Sequence, residues 1–323
     1  MIEITIERND AGQRADRFLR KYLKNAPLSA VYKVLRKDMK VNGKMVKEEY
    51  VLSEGDLVCL YCSDEDIENW TRKKPSYRKR AKKQFSVLYE DDDLIIVNKP
   101  FGLLVHGDIN EKKDTLANQV VDYLIETGSY HPREEKTFVP SPVHRLDRNT
   151  TGIVVFGKNA QSLRDLTQLF REEKSTKVRK FYYTFVHGAL EKELHLKGKL
   201  LKDEAKNIAK VLPESDERGK YIETIVYPIA VSKNKKYSLI EIELVTGRSH
   251  QIRAHLAWAG HPLVGDLKYG GKELSSGSGE WTLGRTTQAL HAHKIIIGDI
   301  ECEAPLPKAW KSMQKDILGK EII

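Results

Sequence analysis

The sequence predicts an α+β fold in which a small N-terminal part precedes a much larger C-terminal part. Short apolar runs rich in β-branched residues, such as residues 94–97 and 237–244, are typical of strands. Other segments repeat apolar residues at the i, i+3, i+4 and i+7 spacing of a helix with one buried face. The first such segment contains Ala15, Phe18, Leu19 and Tyr22. A block of basic residues between the two parts marks the boundary.

The composition is that of a globular protein with a sizeable core. Of the 323 residues, 40% are hydrophobic and 31% are charged, and no apolar run approaches the length of a membrane span. Residues 2–7 alternate between apolar and polar side chains, which is typical of a strand and not of a signal peptide. Three cysteines without a disulfide pattern indicate reduced thiols. We therefore expect a cytoplasmic protein without a membrane partner.

The charge of the chain favours a polyanionic partner. The net charge is +9 and the pI is about 9.1, which suits phosphate neutralisation and counterion release. In residues 72–83, eight of twelve residues are Lys or Arg and none is acidic. Such a block repels itself and is not expected to pack. It predicts a flexible linker that either touches RNA phosphates or serves only as a solubilising spacer.

The N-terminal part predicts two short helices with basic faces, followed by a hairpin. The second helix is expected to be capped by Ser29, with Val31, Val34 and Leu35 buried. Its opposite face carries Lys33, Arg36, Lys37 and Lys40, and the first helix carries Arg14, Arg17, Lys21 and Lys24. An Asn-Gly turn at residues 42–43 and a strand within residues 56–62 come next. This order of elements predicts a small RNA-binding module.

The Cys59-x-x-Cys62 spacing lies in that last strand. Residues three apart in a strand point to opposite faces, so the two sulfurs are not expected to meet. A zinc site would need two further ligands, and this region contains no histidine and no second cysteine pair. We interpret the two cysteines as structural thiols.

The C-terminal part alternates between predicted strands and helices. The predicted strands cover residues 87–89, 94–97, 153–156, 178–186 and 237–244. The predicted helices bury Leu116, Val120, Tyr123 and Leu124, then one face of residues 161–173, and later Ile252, Leu256 and Ala259. Residues 272–284 are rich in Gly and Ser, which predicts a mobile loop.

A candidate site lies at residues 144–152, which read His-Arg-Leu-Asp-Arg-Asn-Thr-Thr-Gly. Asp147 stands between Arg145 and Arg148, whose positive charges favour an ionised carboxylate. Asn149 and Gly152 form turns, and a predicted strand follows. The pattern therefore predicts a carboxylate on a tight bend, aimed at a cleft. The alternative is a charged turn with a structural salt bridge.

The motif resembles the catalytic motif of the RluA family of RNA pseudouridine synthases, with Thr151 at a position that often holds serine. Four further strings match the family in order, at residues 98–106, 180–182, 246–253 and 265–270, as does Leu290-His291-Ala292. Residues 13–61 resemble the S4 domain. Within the family, the chain is most similar to the RluC-type branch, which acts on large-subunit ribosomal RNA.

The resemblance implies a domain division and a catalytic fold. An S4-like RNA-binding domain of α/β type covers residues 1–64, a basic linker residues 65–84, and the catalytic domain residues 85–323. The catalytic domain is expected to have a central mixed, largely antiparallel sheet with a cleft. A monomer that binds ribosomal RNA or a ribosome assembly intermediate is expected.

The resemblance also implies the reaction, which is isomerisation of uridine to pseudouridine in RNA. Asp147 is expected to act as nucleophile or base, Tyr182 as the active-site tyrosine, and Arg253 as the ion-pair partner of Asp147. The substrate-binding candidates are His144, Arg145, Arg248 and Ile252, and Arg145 is expected to enter the space left by a flipped nucleotide. No cofactor or metal is implied. His250 and His255 are five residues apart and share a helix face poorly, which disfavours zinc.

Two other functions compete with this interpretation. A glycosidase normally needs two carboxylates that flank the scissile bond, and the central motif contains one. A non-catalytic RNA-binding protein would need only the N-terminal module and the basic linker.

Overall fold

The computed structural model describes residues 1–72, 82–108, 111–172, 177–203, 208–272 and 287–323. The predicted basic block falls largely on residues 73–81, outside the described residues, as does almost all of the predicted mobile loop. Within the described residues the structure contains two sheets, one in each part of the chain.

The N-terminal module is a three-stranded antiparallel sheet covered by helices. The strand order is β1-β3-β2, with β1 at Ile2–Thr5, β2 at Met39–Val41 and β3 at Leu57–Leu60. The helices are α1 (Ala15–Tyr22) and α2 (Leu28–Lys33), which continues into a π-helical turn at Val34–Asp38. The apolar residues predicted to share helix faces form the core with the strands. Asn42 and Gly43 have φ values of +51° and +77°, which confirms the predicted turn.

Two details of this module differ from the sequence prediction. Ser29 lies inside the first turn of α2, because Pro27 has extended backbone and the helix already begins at Leu28. Residues predicted to open the linker form a third helix, α3 (Asp64–Thr71). Its N-cap Ser63 accepts a hydrogen bond from the Asp66 amide, and its apolar face packs on the module core. The ordered module therefore extends past residue 64.

The large sheet is mixed and mostly antiparallel, as predicted. The strands are β4 (Ser86–Glu90), β5 (Leu94–Lys99), β6 (Ser141–Pro142), β7 (Thr151–Gly157), β8 (Val178–His187), β9 (Leu194–Asp203), β10 (Ile208–Leu212), β11 (Lys220–Val231), β12 (Tyr237–Leu244), β13 (Leu290–Ile297) and β14 (Ile300–Glu303). Their order in the sheet is β10-β9-β11-β12-β8-β13-β7-β5-β4, with β14 beside β13 and β6 beside β7. Among the described pairings between these strands, only β13 with β7 is parallel.

Strands β9, β10 and β11 occupy a region for which the sequence predicted no element. β9 reads Leu-His-Leu-Lys-Gly-Lys-Leu-Leu-Lys-Asp, so lysines and a glycine interrupt its apolar residues. Such a strand has few apolar neighbours of its own and depends on its pairing with β11 and β10.

Helices cover the large sheet and bury apolar clusters on both of its faces. They are α4 (Leu116–Glu126), α5 (Ala160–Arg171), α6 (Gln251–Trp258) and α7 (Lys308–Leu318). In β5, Ile95 and Val97 pack with α4, whereas Leu94 and Ile96 pack in a second cluster with Leu166 of α5. No helix among the described residues is long and apolar enough to cross a membrane.

The two parts of the chain contact each other through polar side chains near the start of α5. Asp10 is buried and accepts a hydrogen bond from the Thr137 hydroxyl at 2.7 Å. Lys136 lies 2.6 Å from a Glu7 carboxylate oxygen, and Arg164 of α5 donates to the carbonyl of Ala11 at 2.9 Å. These contacts hold the N-terminal module against the large domain. The sequence, which predicted a flexible linker between the two parts, gave no indication of them.

Candidate active site

Asp147 lies on the bend that enters β7, as the sequence predicted. The Thr150 amide donates to the Asp147 carbonyl at 3.1 Å and closes the turn. Gly152 follows with φ +107°, a conformation that L residues rarely adopt. A Cβ at this position would lie 2.1 Å from the carbonyl oxygen of Ala292 on β13. Glycine therefore allows the parallel contact between β7 and β13 that places the bend.

The neighbouring threonine is fixed by a histidine from β13. The Thr151 hydroxyl lies 2.8 Å from His291 Nδ1, and His291 Nε2 lies 3.3 Å from the carbonyl of Ala304. A carbonyl can only accept, so Nε2 carries the proton and Nδ1 accepts from Thr151. Burial lowers the pKa of His291 to about 4, which keeps the ring neutral. A serine hydroxyl at position 151 could make the same hydrogen bond.

Lys99 stabilises the same bend through hydrogen bonds to backbone carbonyls. Its fully buried Nζ donates to the carbonyls of Pro100, Leu103 and Arg148 at 3.0, 2.8 and 2.9 Å. Burial lowers the pKa of Lys99 to about 7, against the opposing effect of the Asp147 charge. Lys99 therefore ties the loop after β5 to the turn that carries the carboxylate.

Arg253 of α6 joins Asp147 to a second carboxylate. Its Nη1 lies 3.0 Å from Asp147 Oδ2, while Nε and Nη2 donate to the two oxygens of Asp266 at 2.6 and 2.8 Å. Burial alone would lower the pKa of Arg253, but the two carboxylates outweigh it and raise the pKa. Asp266 is 1% exposed, so this bidentate pair holds the guanidinium in one orientation. The predicted contact between Arg253 and Asp147 is present.

His250 and Tyr269 complete the wall behind Asp147. The Tyr269 hydroxyl accepts from the Ala209 amide at 2.8 Å and forms a second hydrogen bond, of 2.9 Å, with His250 Nδ1. His250 Nε2 faces Asp147 Oδ2 at 3.8 Å. Burial lowers the pKa of His250, and the Asp147 charge opposes this effect. Asp147 thus has two nitrogen groups on one side, and its side chain is 30% exposed towards the pocket.

Tyr182 and Tyr183 point to opposite sides of β8. The Tyr182 side chain is buried and lines the same pocket as Asp147. Burial, assisted by the negative charge of Asp147, raises the pKa of Tyr182, so the hydroxyl is protonated. The Tyr183 ring instead stacks on His293, with ring centroids 3.6 Å apart. The alternation of side chains along a strand explains the separation.

The pocket in front of Asp147 has a volume of about 530 Å³ and brings together all seven residues selected from the sequence. They are Asp147, Tyr182, Arg253, His144, Arg145, Arg248 and Ile252. His144 belongs to the wall, because its Nε2 accepts from the Val155 amide at 3.3 Å and its ring stacks on Phe170. Burial lowers the pKa of His144 to about 3, so it is neutral. Arg145 is exposed at the pocket mouth.

Sequence reasoning did not assign a role to several residues of this site. Asp266 lies in the family string at residues 265–270, and Lys99 and Lys180 lie in the strings that located the first motif and Tyr182. The motifs therefore include these three residues but do not reveal which side chains they contact. A glycosidase would need a second carboxylate beside Asp147. Asp266 does not line the pocket and both of its oxygens bind Arg253, and Glu172 lines the pocket but is exposed.

Metal binding finds no support in the described part of the chain, where no group of three potential metal ligands occurs. His255 is fully buried, and its Nδ1 lies 3.0 Å from the Thr224 hydroxyl. Cys59, Cys62 and Cys302 are free, and Cys59 and Cys302 are buried.

Comparison with known proteins places the chain in a family. Residues 93–258, half of the chain, match the family model described as RNA pseudouridylate synthase. Ribosomal large subunit pseudouridine synthase C of Vibrio cholerae is 36% identical over 313 residues, which cover 94% of this chain and 92% of the relative. The protein of the same name from Escherichia coli is 33% identical over 317 residues, covering 95% and 94%.

A solved structure shows the same fold. Human RNA Pseudouridylate Synthase Domain Containing 4 superposes with a TM-score of 0.52 at 21% identity, covering 71% of this chain and 91% of the human chain. The family match covers β5 to α6, which carry Lys99, Asp147, Tyr182 and Arg253. The chain therefore belongs to the family of RNA pseudouridine synthases, as its motifs predicted.

Proposed function

We propose that this protein isomerises uridine to pseudouridine in large-subunit ribosomal RNA, with Asp147 as its catalytic carboxylate. One observation carries the proposal: Asp147 and the buried Tyr182 line the same pocket, and Arg253 Nη1 lies 3.0 Å from Asp147 Oδ2. The names of the relatives from Vibrio cholerae and Escherichia coli supply the class of RNA.

The reaction exchanges one glycosidic bond for another without net redox change or hydrolysis. The bond between C1′ and uracil N1 breaks, the uracil turns within the pocket, and C5 bonds to C1′. The proton on C5 then leaves and N1 gains one, so the atoms balance. Asp147 starts the sequence either by attack on C1′ or by removal of the C2′ proton. Arg253 orients the carboxylate in both cases, since Asp266 fixes the guanidinium.

Tyr182 is suited to the last proton transfer only after the charge of Asp147 changes. Its raised pKa disfavours a phenolate while Asp147 is anionic. Once the carboxylate has reacted and become neutral, one cause of that raised pKa is removed. The hydroxyl can then take part in proton removal from C5, directly or through a water, while its ring stacks on the uracil.

The base must leave its RNA stack to reach this pocket. The target base enters the pocket from a duplex or loop, which costs unstacking energy. Arg145 lies exposed at the mouth and has a side chain long enough to occupy the vacated space. Ile252 is 4% exposed and supplies an apolar surface for the base.

The N-terminal module is proposed to bind RNA phosphates. Arg17 and Lys21 on α1 and Lys24 just after it are exposed, as are Lys33, Arg36 and Lys37 in and after α2. Removing residues 1–84 is expected to weaken RNA binding and to flatten its dependence on salt, because fewer phosphates are neutralised. An unchanged slope of log affinity against log salt would exclude the module from binding.

The reaction is tested by tritium release from RNA labelled at uridine C5. We expect the wild type to release label from a 23S ribosomal RNA transcript but not from a 16S transcript, without base loss or strand cleavage. Asp147→Asn is the control, because it keeps the shape of the side chain but loses its charge. Binding without release by the wild type would support a non-catalytic RNA-binding protein, and free uracil would support a glycosidase.

A further inference from the structure

Lys180 is a buried cation in the pocket that the proposed reaction does not use. It lies on β8 two residues before Tyr182, so both side chains point to the same side of the strand, and both line the pocket. The residue is 9% exposed. Its Nζ lies 5.8 Å from the centroid of the Phe170 ring. Within the described ranges, Lys180 has neither an ion pair nor a side-chain hydrogen bond.

An unpaired buried ammonium group is unusual because proteins normally pair such charges. Burial lowers the pKa of Lys180 to about 8, with no carboxylate contributing to the shift. The group is therefore still mostly protonated at pH 7. The carboxylate of Asp147 lines the same pocket but forms no ion pair with Lys180, and its Oδ2 faces Arg253 and His250 instead. The lysine thus leaves a positive charge available to a ligand in the pocket.

The surroundings of Lys180 indicate which ligand fits. The other charged or titratable groups that line the pocket are Asp147, Glu172, Tyr182, His106, His144, His250, Arg145, Arg171, Arg248 and Arg253. His144 is neutral, and the positive charge of Lys180 contributes to its lowered pKa. Arg145, Arg171 and Arg253 add positive charge, against the carboxylates of Asp147 and Glu172 among the described lining residues. A neutral base carbonyl would leave this excess uncompensated, whereas an anion would offset it.

We propose that Lys180 binds a backbone phosphate of the nucleotide whose base occupies the pocket. Lys180 and Tyr182 are at positions i and i+2 of a strand, so their Cα atoms lie about 7 Å apart. This spacing suits a nucleotide whose base stacks on the tyrosine ring while its phosphate reaches the ammonium group. The inference rests on the proposed function for the identity of the nucleic acid, but not for the presence of an anion site.

The test compares Lys180→Met and Lys180→Arg in the Asp147→Asn background, where no turnover disturbs equilibrium binding. The probe is a 23S ribosomal RNA transcript, and its affinity is measured at several salt concentrations. Lys180→Met should weaken binding roughly tenfold, as expected for one hydrogen bond to a charged group. The slope of log affinity against log salt should shrink by about 0.7 to 0.9, which corresponds to one lost phosphate contact. Lys180→Arg should restore both values.

Lys308→Met is the matched control, because Lys308 is exposed at the start of α7 and does not line the pocket. It should leave the affinity and the slope unchanged. A pH series adds a second readout: binding of the Lys180 protein should weaken as pH rises from 7 to 9.5, whereas binding of Lys180→Arg should not. Circular dichroism shows whether Lys180→Met is folded. If Lys180→Met is unfolded, the pH series on the wild type and Lys180→Arg still tests the proposal.

The outcomes distinguish this site from the proposed reaction. A loss of affinity with an unchanged salt slope would place the ammonium group on a base carbonyl and overturn the phosphate site. Tritium release by the wild type together with unaltered binding by Lys180→Met would do the same while the proposed function stands. A smaller slope for Lys180→Met, in a protein whose wild type releases no tritium, would support the anion site and reject the reaction.

Discussion

Asp266 offers the sharpest test of how the site is held together. It is 1% exposed and accepts two hydrogen bonds from Arg253, at 2.6 and 2.8 Å, so its charge offsets the buried guanidinium. In Asp266→Asn, the amide group can accept one of these bonds, but its NH₂ would face an N–H donor of Arg253. The variant keeps the size of the side chain and removes only the charge and one acceptor.

The magnitude follows from these contacts. Loss of one charge-assisted hydrogen bond and of the local charge balance should cost about 3 kcal/mol of stability, because Asp147 still pairs with Arg253. For a domain of this size, the Tm should fall by roughly 6 to 12 °C. A guanidinium displaced by about 1 Å should lower kcat on the order of a hundredfold, with little change in KM.

The assay is single-turnover tritium release together with a thermal melt. Glu243→Gln serves as the matched control, since Glu243 also binds an arginine with two hydrogen bonds, to Arg179 at 2.8 and 3.0 Å, but does not line the pocket. It should leave kcat unchanged. Wild-type turnover by Asp266→Asn would show that catalysis does not depend on how Arg253 is oriented, and the reasoning above would fail.

Three further predictions concern the strand tyrosine, the turn glycine and a buried histidine. Tyr182→Phe should bind RNA but release the C5 proton about a hundredfold more slowly, whereas Tyr183→Phe should be mild; full tritium release by Tyr182→Phe would leave the ring with stacking alone. Gly152→Ala should cost about 3 kcal/mol or more in denaturant melts and lose activity, because its Cβ would meet the Ala292 carbonyl at 2.1 Å; an unchanged melting midpoint would contradict this. Burial lowers the pKa of His255 to about 4, so the unfolded chain binds more protons between pH 4 and 6.5 and stability should fall as pH drops through that window. His255→Leu should flatten that part of the curve of unfolding free energy against pH, and an unaltered curve would show that His255 is not buried as a neutral ring.

Much of the fold could be predicted from the sequence because the relevant signals are local. Periodicity alone located α1, α4, α5 and the strands at residues 94–97, 178–186 and 237–244, since each buries its own apolar face. β9 escaped prediction because its lysines and glycine hide the alternation, and β11 because Glu223 and Pro228 interrupt its apolar run; both strands pair with neighbouring strands. Helix α3 was assigned to the linker because its acidic first turn carries few apolar residues.

For the candidate site, too, the sequence revealed local features and missed contacts between segments that are distant in the chain. Its motifs identified Asp147, Tyr182 and Arg253, because motif strings are contiguous and their residues could be matched one by one. No contiguous motif marks the contacts that Asp10 and Arg164 make between the N-terminal module and the large domain, since the partners of each lie more than a hundred residues away in the chain.

What the sequence by itself determined is therefore the family, the order of most elements and seven of the residues that line the pocket. Only the tertiary structure decided the electrostatics of that pocket. Asp266 is committed to Arg253, and Lys180 is a buried cation without a carboxylate partner in the described part of the chain. Burial and charge pairing arise from side chains that meet across strands and helices far apart in sequence, and local composition does not encode which of them will meet.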